Sequence, residues 1–116
     1  MKKILVIDDD AMSVEFLSMY LSSKGYQVLK AGTVEEALRL LDQHSPEAVI
    51  TDIQLSDGSG LDIAIYAKKR ANSVVIGVTG YDRHSLEASG ADISSLSTLL
   101  SKPLDLSGLD TALNGL

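Results

Sequence analysis

The chain of 116 residues contains no cysteine. That excludes a disulfide framework, a thiolate metal site and a thiol nucleophile, and it fits a cytoplasmic protein. No apolar run approaches the length needed to span a membrane, so no membrane partner is expected. The charged-then-apolar start, Lys2-Lys3-Ile4-Leu5-Val6-Ile7, is too short for a signal peptide and runs into three acids, so no targeting segment is read. Basic charge is in deficit: ten Lys and Arg against sixteen Asp and Glu give a net charge of −6. Phosphate backbones require a basic face, so nucleic acid is not expected as this domain's ligand, whereas a small cation or a basic partner is easily accommodated. Internal repeats, low-complexity tracts and linkers are absent too. With a hydrophobic share of 45%, a chain of this length suits one domain with one core, and residues 1–116 are read as that single domain.

What is present alternates between strand and helix. Lys3 to Ile7 is nearly all apolar, as expected of a central strand. Asp8-Asp9-Asp10 follow, then a helix expected to turn Phe16, Leu17, Tyr20 and Leu21 to one face and to end at Lys24-Gly25. Tyr26 to Ala31 reads as a second, more polar strand near the sheet edge. Thr33 and Glu36 form a capping-box signature for a helix carrying Val34, Ala37, Leu38 and Leu41, which Ser45-Pro46 breaks. Ala48-Val49-Ile50-Thr51-Asp52 is a third strand that stops at a carboxylate, followed by the turn-rich loop Ile53 to Gly60. A third helix from Gly60 should face Leu61, Ala64 and Ile65 inward and carry Lys68, Lys69 and Arg70 at its basic end. Val74 to Thr79 is a fourth strand. Gly80-Tyr81-Asp82-Arg83 turns into a short helix ending by Gly90, a fifth strand is placed at Thr98 to Ser101, and Ser107 to Leu113 supports a brief last helix.

Five such alternations indicate an α/β fold, a doubly wound parallel sheet with helices on both faces. In the flavodoxin-like order 2-1-3-4-5 the switch point lies between strands one and three, which puts Asp8, Asp9 and Asp52 at one spot and adds Thr79 and Lys102 from strands four and five. Each has an ordinary structural explanation: acids at a helix start complement its dipole, Thr is a strand former, and a strand-ending Asp often bonds loop amides. Four of the five strands ending in groups suited to one reaction is harder to explain so. That reaction is phosphoryl transfer onto a carboxylate. Crowded carboxylates repel unless a cation neutralises them, and oxygen ligands with room for water and phosphate favour Mg²⁺. Asp52 would be the nucleophile, with the Lys102 ammonium and Thr79 hydroxyl on the phosphoryl oxygens.

The set Ile4-Leu5-Val6-Ile7-Asp8-Asp9-Asp10, Val49-Ile50-Thr51-Asp52-Ile53-Gln54-Leu55 with Gly58 to Leu61, Val78-Thr79-Gly80-Tyr81, and Lys102-Pro103 resembles the response-regulator receiver domains of two-component signalling. The resemblance implies that Asp52 is the phosphoacceptor and that Asp9 binds Mg²⁺ directly, Asp8 mainly through water, with the Gln54 carbonyl as a further ligand. It implies that Thr79 is the switch hydroxyl and that Lys102 binds phosphate, ahead of a cis bond to Pro103. It further implies a sensor histidine kinase or histidine phosphotransfer protein as phosphodonor, a downstream protein target, and catalysis of no more than the domain's own phosphorylation and dephosphorylation.

The chain departs from the family pattern in places. Leu99 stands where an aromatic residue usually precedes the lysine by three positions, Ser56 replaces a common proline, and the 80–101 region has unusual spacing, so no standard dimer is carried over. Gln54 and Tyr81 are expected to shield the phosphoryl group from water and tune its lifetime. No output domain is read before Leu116. The chain fits a stand-alone receiver and equally one cut from a hybrid kinase or longer regulator. Two other classes compete. A haloacid-dehalogenase-like phosphatase would use Asp8 and Asp10, but Met12 stands where that family usually has Thr or Val, and Asp52 would have no role. A degenerate receiver acting only as a binding module would not need the full set of acid, Thr and Lys.

Overall fold

The computed structural model describes residues 2–81 and 83–116; Asp82, part of the expected turn after the fourth strand, lies outside the described residues. The elements in chain order are β1 (Lys3–Ile7), α1 (Ala11–Ser23), β2 (Gln27–Ala31), α2 (Val34–His44), β3 (Ala48–Asp52), β4 (Gln54–Leu55), β5 (Gly58–Ser59), α3 (Gly60–Ala71), β6 (Val74–Thr79), α4 (Arg83–Ala88), β7 (Thr98–Ser101) and α5 (Leu106–Leu113). Five strands form a parallel sheet in the order β2-β1-β3-β6-β7. Numbered among themselves these are strands 2-1-3-4-5, the flavodoxin-like order, with the expected switch point between β1 and β3.

Burial explains why these segments are strands. Ile4, Leu5, Val6 and Ile7 of β1 and all five residues of β3 are buried, as runs covered on both sheet faces must be. The pleat sends alternate side chains to two cores. Ile4, Val6, Ile50, Ile76 and Val78 pack with Val14, Leu17 and Leu21 of α1 and Leu109 and Leu113 of α5. Leu5, Ile7, Val49 and Val75 pack on the other face with Ala37 and Leu41 of α2 and Ile63, Ala64 and Ala67 of α3. The ladders also run one bond past the strand ends. Asp8 N–H donates to the Ala31 carbonyl (3.2 Å), Ile53 N–H to Val78 (3.0 Å) and Lys102 N–H to Thr79 (2.8 Å). These bonds fix the backbone just where the charged residues leave the sheet.

Local expectations are corrected at four points. In α1 the buried residues are Val14, Leu17, Ser18 and Leu21, while Phe16 is 60% exposed and Tyr20 half-buried, with its hydroxyl donating to Asp110 (2.8 Å). A step of about 100° per residue puts Phe16 on the side opposite Val14 and Ser18, together with Met12 and Met19, which are also exposed. In α3 the inward face is Gly60, Ile63, Ala64 and Ala67, leaving Leu61 and Ile65 half-buried at its margins. Thr33 caps α2 as expected, accepting from Glu36 N–H (3.2 Å), but the Glu36 carboxylate reaches back to Gly32 N–H (3.0 Å) instead of that of Thr33. The loop after β3 contains a short antiparallel ladder, Gln54 opposite Ser59 and Leu55 opposite Gly58.

Candidate functional site

The site is built outward from Asp52, which ends the fully buried β3 and is itself buried. One carboxylate oxygen, Oδ1, accepts from Gln54 N–H (3.1 Å), the ordinary use of a strand-ending Asp. The other, Oδ2, lies 2.7 Å from the Lys102 ammonium. Close approach on the chain's inner side depends on Gly60. Its N–H donates to the Ile53 carbonyl (2.8 Å) at the start of α3. A Cβ there would collide with the Asp52 carbonyl oxygen and come within 2.9 Å of Thr51 Oγ1.

Asp8 and Asp9 enter from the end of β1. Asp8 is buried and its Oδ1 accepts from Asp10 N–H (3.0 Å); Asp9 is exposed. Asp8, Asp9 and Asp52 each present a carboxylate oxygen within 4.8 Å of the others, close enough to share one metal ion. Asp10 belongs to the helix instead: it caps α1, accepting from Met12 N–H (3.1 Å) and the Ser13 hydroxyl (2.9 Å). Lys102 reaches the group from beyond β7, ahead of a cis peptide bond to Pro103, and its ammonium also lies 3.6 Å from Asp8. Thr79 is buried at the end of β6, where its Oγ1 accepts from Tyr81 N–H (3.0 Å). A cleft of about 370 Å³ opens over Asp52, with Asp8, Asp10, Lys102, Pro103 and Phe16 among its lining residues.

The electrostatics follow from crowding. Burial pushes the Asp8 carboxyl above its ordinary value, and the charges of Asp52 and Asp9 add to the rise; the Asp10 amide and Lys102 oppose it. Lys102 is held above the usual lysine value, first by its hydrogen bond to Asp52. Three carboxylates facing one ammonium leave a deficit of two positive charges. An all-oxygen donor set with that deficit suits a hard divalent cation.

The residues expected from the sequence therefore meet at one sheet edge, with Gln54 on β4 beside Asp52 and its side chain exposed. Sequence reasoning missed Asp57, whose carboxylate accepts from Val34 N–H (2.8 Å) and Glu35 N–H (3.3 Å) at the start of α2. Nothing local could have revealed it, because its partners lie more than twenty positions away.

Residues 4–114 match the family described as the response regulator receiver domain. The sensory transduction protein LytT of Bacillus cereus is 37% identical over 90% of this chain and 43% of its own length. The chain spans about half the length of the curated relatives it matches. A crystal structure of the response regulator TrrA from Thermotoga maritima, in complex with Mg²⁺ and BeF, superposes with a TM-score of 0.82 at 28% identity, covering 96% of this chain and 95% of that one. A response regulator from Burkholderia pseudomallei with a phosphorylated aspartic acid, a calcium ion and citrate superposes at 0.87 with 26% identity, over 99% of this chain and 68% of that one. The match over nearly the whole sequence, on the fold and sheet edge described above, means that this chain belongs to the response regulator receiver domain family.

Proposed function

We propose that this chain is an active phosphoacceptor receiver in a His-Asp phosphorelay and that Asp52 takes the phosphoryl group. The observation that carries this reading is the meeting of Lys102 with Asp52 at 2.7 Å beside the oxygens of Asp8 and Asp9. One Asp52 oxygen attacks phosphorus in line. The new bond is O–P, the bond broken is P–N to the imidazole of a phosphohistidine donor, and the imidazole leaves as the neutral base on taking up a proton. Bound Mg²⁺, held by Asp8, Asp9, Asp52 and the Gln54 carbonyl, would supply charge neutralisation on the phosphoryl oxygens.

The protein's own groups do the rest. Lys102 is already paired with the nucleophile, and its ammonium follows the negative charge as it spreads onto the transferred group. Thr79 gives its hydroxyl to a remaining oxygen. Its Oγ1 accepts from Tyr81 N–H and its carbonyl from Lys102 N–H, so any displacement passes into both following segments. The domain acts on no other substrate: it accepts the group, loses it to water, and changes partner binding while it holds it. The donor is a histidine kinase or histidine phosphotransfer protein, and the target is another protein. The phosphatase reading, which needs Asp10 as an acid, is disfavoured by the capping bonds that occupy that carboxylate.

The test is intact mass after incubation with acetyl phosphate, with and without Mg²⁺, on wild type and Asp52→Asn. A Mg²⁺-dependent phosphoryl adduct that is absent from the variant is expected. An unmodified wild type in the presence of Mg²⁺ would point to a binding module instead. Phosphate release that survives Asp52→Asn but not an Asp8 change would point to the phosphatase.

A further inference from the structure

The carboxylate of Asp57 turns away from the acidic group and into the backbone of another helix. It sits in the turn of the β4–β5 hairpin, and its two oxygens accept from the N–H groups of Val34 (2.8 Å) and Glu35 (3.3 Å), the first two residues of α2. Such N–H groups have no partner within their own helix. Because Thr33 already serves Glu36 N–H as the helix's own cap, Asp57 is a second cap delivered from a different loop. The Val34 bond is the chief cause that holds its carboxyl below the ordinary value. The two segments also touch: a Cβ on Gly58 would stand 3.2 Å from Val34 Cγ2.

The hairpin needs an external anchor. Its strands are two residues each, far short of a ladder that is stable alone, and Ser56 occupies the turn where a proline would have stiffened it. At the base it is held by the buried Leu55 and by the Gly60 to Ile53 bond. At the tip it is held by Asp57. Gln54 pairs across this ladder with Ser59, so its carbonyl is carried by the same hairpin that Asp57 fastens at the tip.

We propose that Asp57 is a positioning residue for the metal half of the phosphoacceptor site: by fastening the β4–β5 hairpin to the N-terminus of α2, it keeps the Gln54 carbonyl in place for a divalent cation on Asp8, Asp9 and Asp52. The inference rests on the receiver reading above. It makes the hairpin and α2 one mechanical unit, so that metal affinity depends on a contact remote from the carboxylates.

Mg²⁺ titrations of the full chain, followed by the amide NMR shifts of Asp9 and Gln54, test it on wild type, Asp57→Ala, Asp57→Asn and Thr33→Ala. Loss of an outer-shell support costs metal affinity by about tenfold or more, and Asp57→Ala is expected to weaken Mg²⁺ binding by roughly that factor. Asp57→Asn keeps one acceptor oxygen and should recover most of it. Thr33→Ala removes the other cap of the same helix, so it should lower Tm and leave Mg²⁺ affinity unchanged. Wild-type affinity in Asp57→Ala would overturn the proposal, as would an equal weakening in Thr33→Ala, which would make the role helix capping alone. A wild type that takes up no Mg²⁺ would overturn the receiver reading and this inference with it, and the two failures are thereby told apart.

Discussion

The Lys102 ammonium lies 2.7 Å from an Asp52 carboxylate oxygen, although fifty positions separate the two in the chain. No helix or hairpin could bring them together. They meet because β3 and β7 flank β6 in a parallel sheet and both chains leave it at the same edge. The same ammonium stands 3.6 Å from Asp8, so one cation partly neutralises two of the three clustered acids. Lysine and a divalent metal would thus draw on the same carboxylates, and each should weaken the other's hold.

Lys102→Met exposes that competition. The side chain stays unbranched, ends one atom short of the ammonium position and loses its charge, leaving Asp8 and Asp52 without their resident cation. The variant should melt below wild type without metal, and Mg²⁺ should raise its Tm by more than it raises that of wild type. Repulsion between a unit charge and a dication a few ångströms beyond contact is about 1 kcal/mol even at the dielectric of water, so affinity should tighten by roughly fivefold. Thermal melts across a Mg²⁺ series check this. Equal stabilisation of both chains would mean that ammonium and metal do not share the acids.

Asp8→Asn should stabilise the metal-free chain at neutral pH and weaken Mg²⁺ binding. The folded protein holds the Asp8 proton more tightly than the unfolded chain does, chiefly because of burial. Stability is therefore lost as pH rises from the ordinary carboxylate value of 3.8 through the raised folded value, and it stays lost above that. Asn removes this penalty while its amide oxygen can still accept from Asp10 N–H. The advantage in Tm should be full at pH 7 and vanish as pH falls below 3.8, the ordinary value. Melts without metal at pH 7 and at pH 3 would show the difference, and an advantage unchanged by acid would assign it to something other than the Asp8 charge.

The sheet and the site were legible in the sequence for one shared reason. Four of the five sheet strands end at or just before a chemically distinctive residue, and β1, β3 and β6 are short, nearly continuous apolar runs, so sheet order alone collects Asp8, Asp52, Thr79 and Lys102. Even Thr98 to Ser101, in a stretch without a clean period, was recognisable as β7 because Lys102-Pro103 marks where it stops. The β4–β5 hairpin was not legible. Its ladder is too short to leave a pattern, and its anchors, Asp57 on Val34 and Glu35, are long-range. Helix faces were misjudged by part of a turn where apolar residues lie on both sides. In α1, Met12, Phe16 and Met19 oppose Val14, Leu17 and Leu21, so hydrophobicity alone does not orient the helix. The sheet's demand for cover does.

That orientation can be measured by truncating two neighbours. Leu17 is 7% exposed and packs in the core with Val6 and Ile50, whereas Phe16 is 60% exposed at the rim of the cleft over Asp52. Leu17→Ala should cost about 2–4 kcal/mol, the usual range for a buried leucine. Phe16→Ala removes a larger side chain and should cost no more than about 0.5 kcal/mol, as surface substitutions do. Urea denaturation, read at constant m, gives both values. Because Phe16 touches the cleft without supplying a polar group to it, its truncation should also leave the rate of adduct formation from acetyl phosphate unchanged. The reverse order of costs would mean that α1 is turned to bury Phe16, with Tyr20 following it inward and away from Asp110.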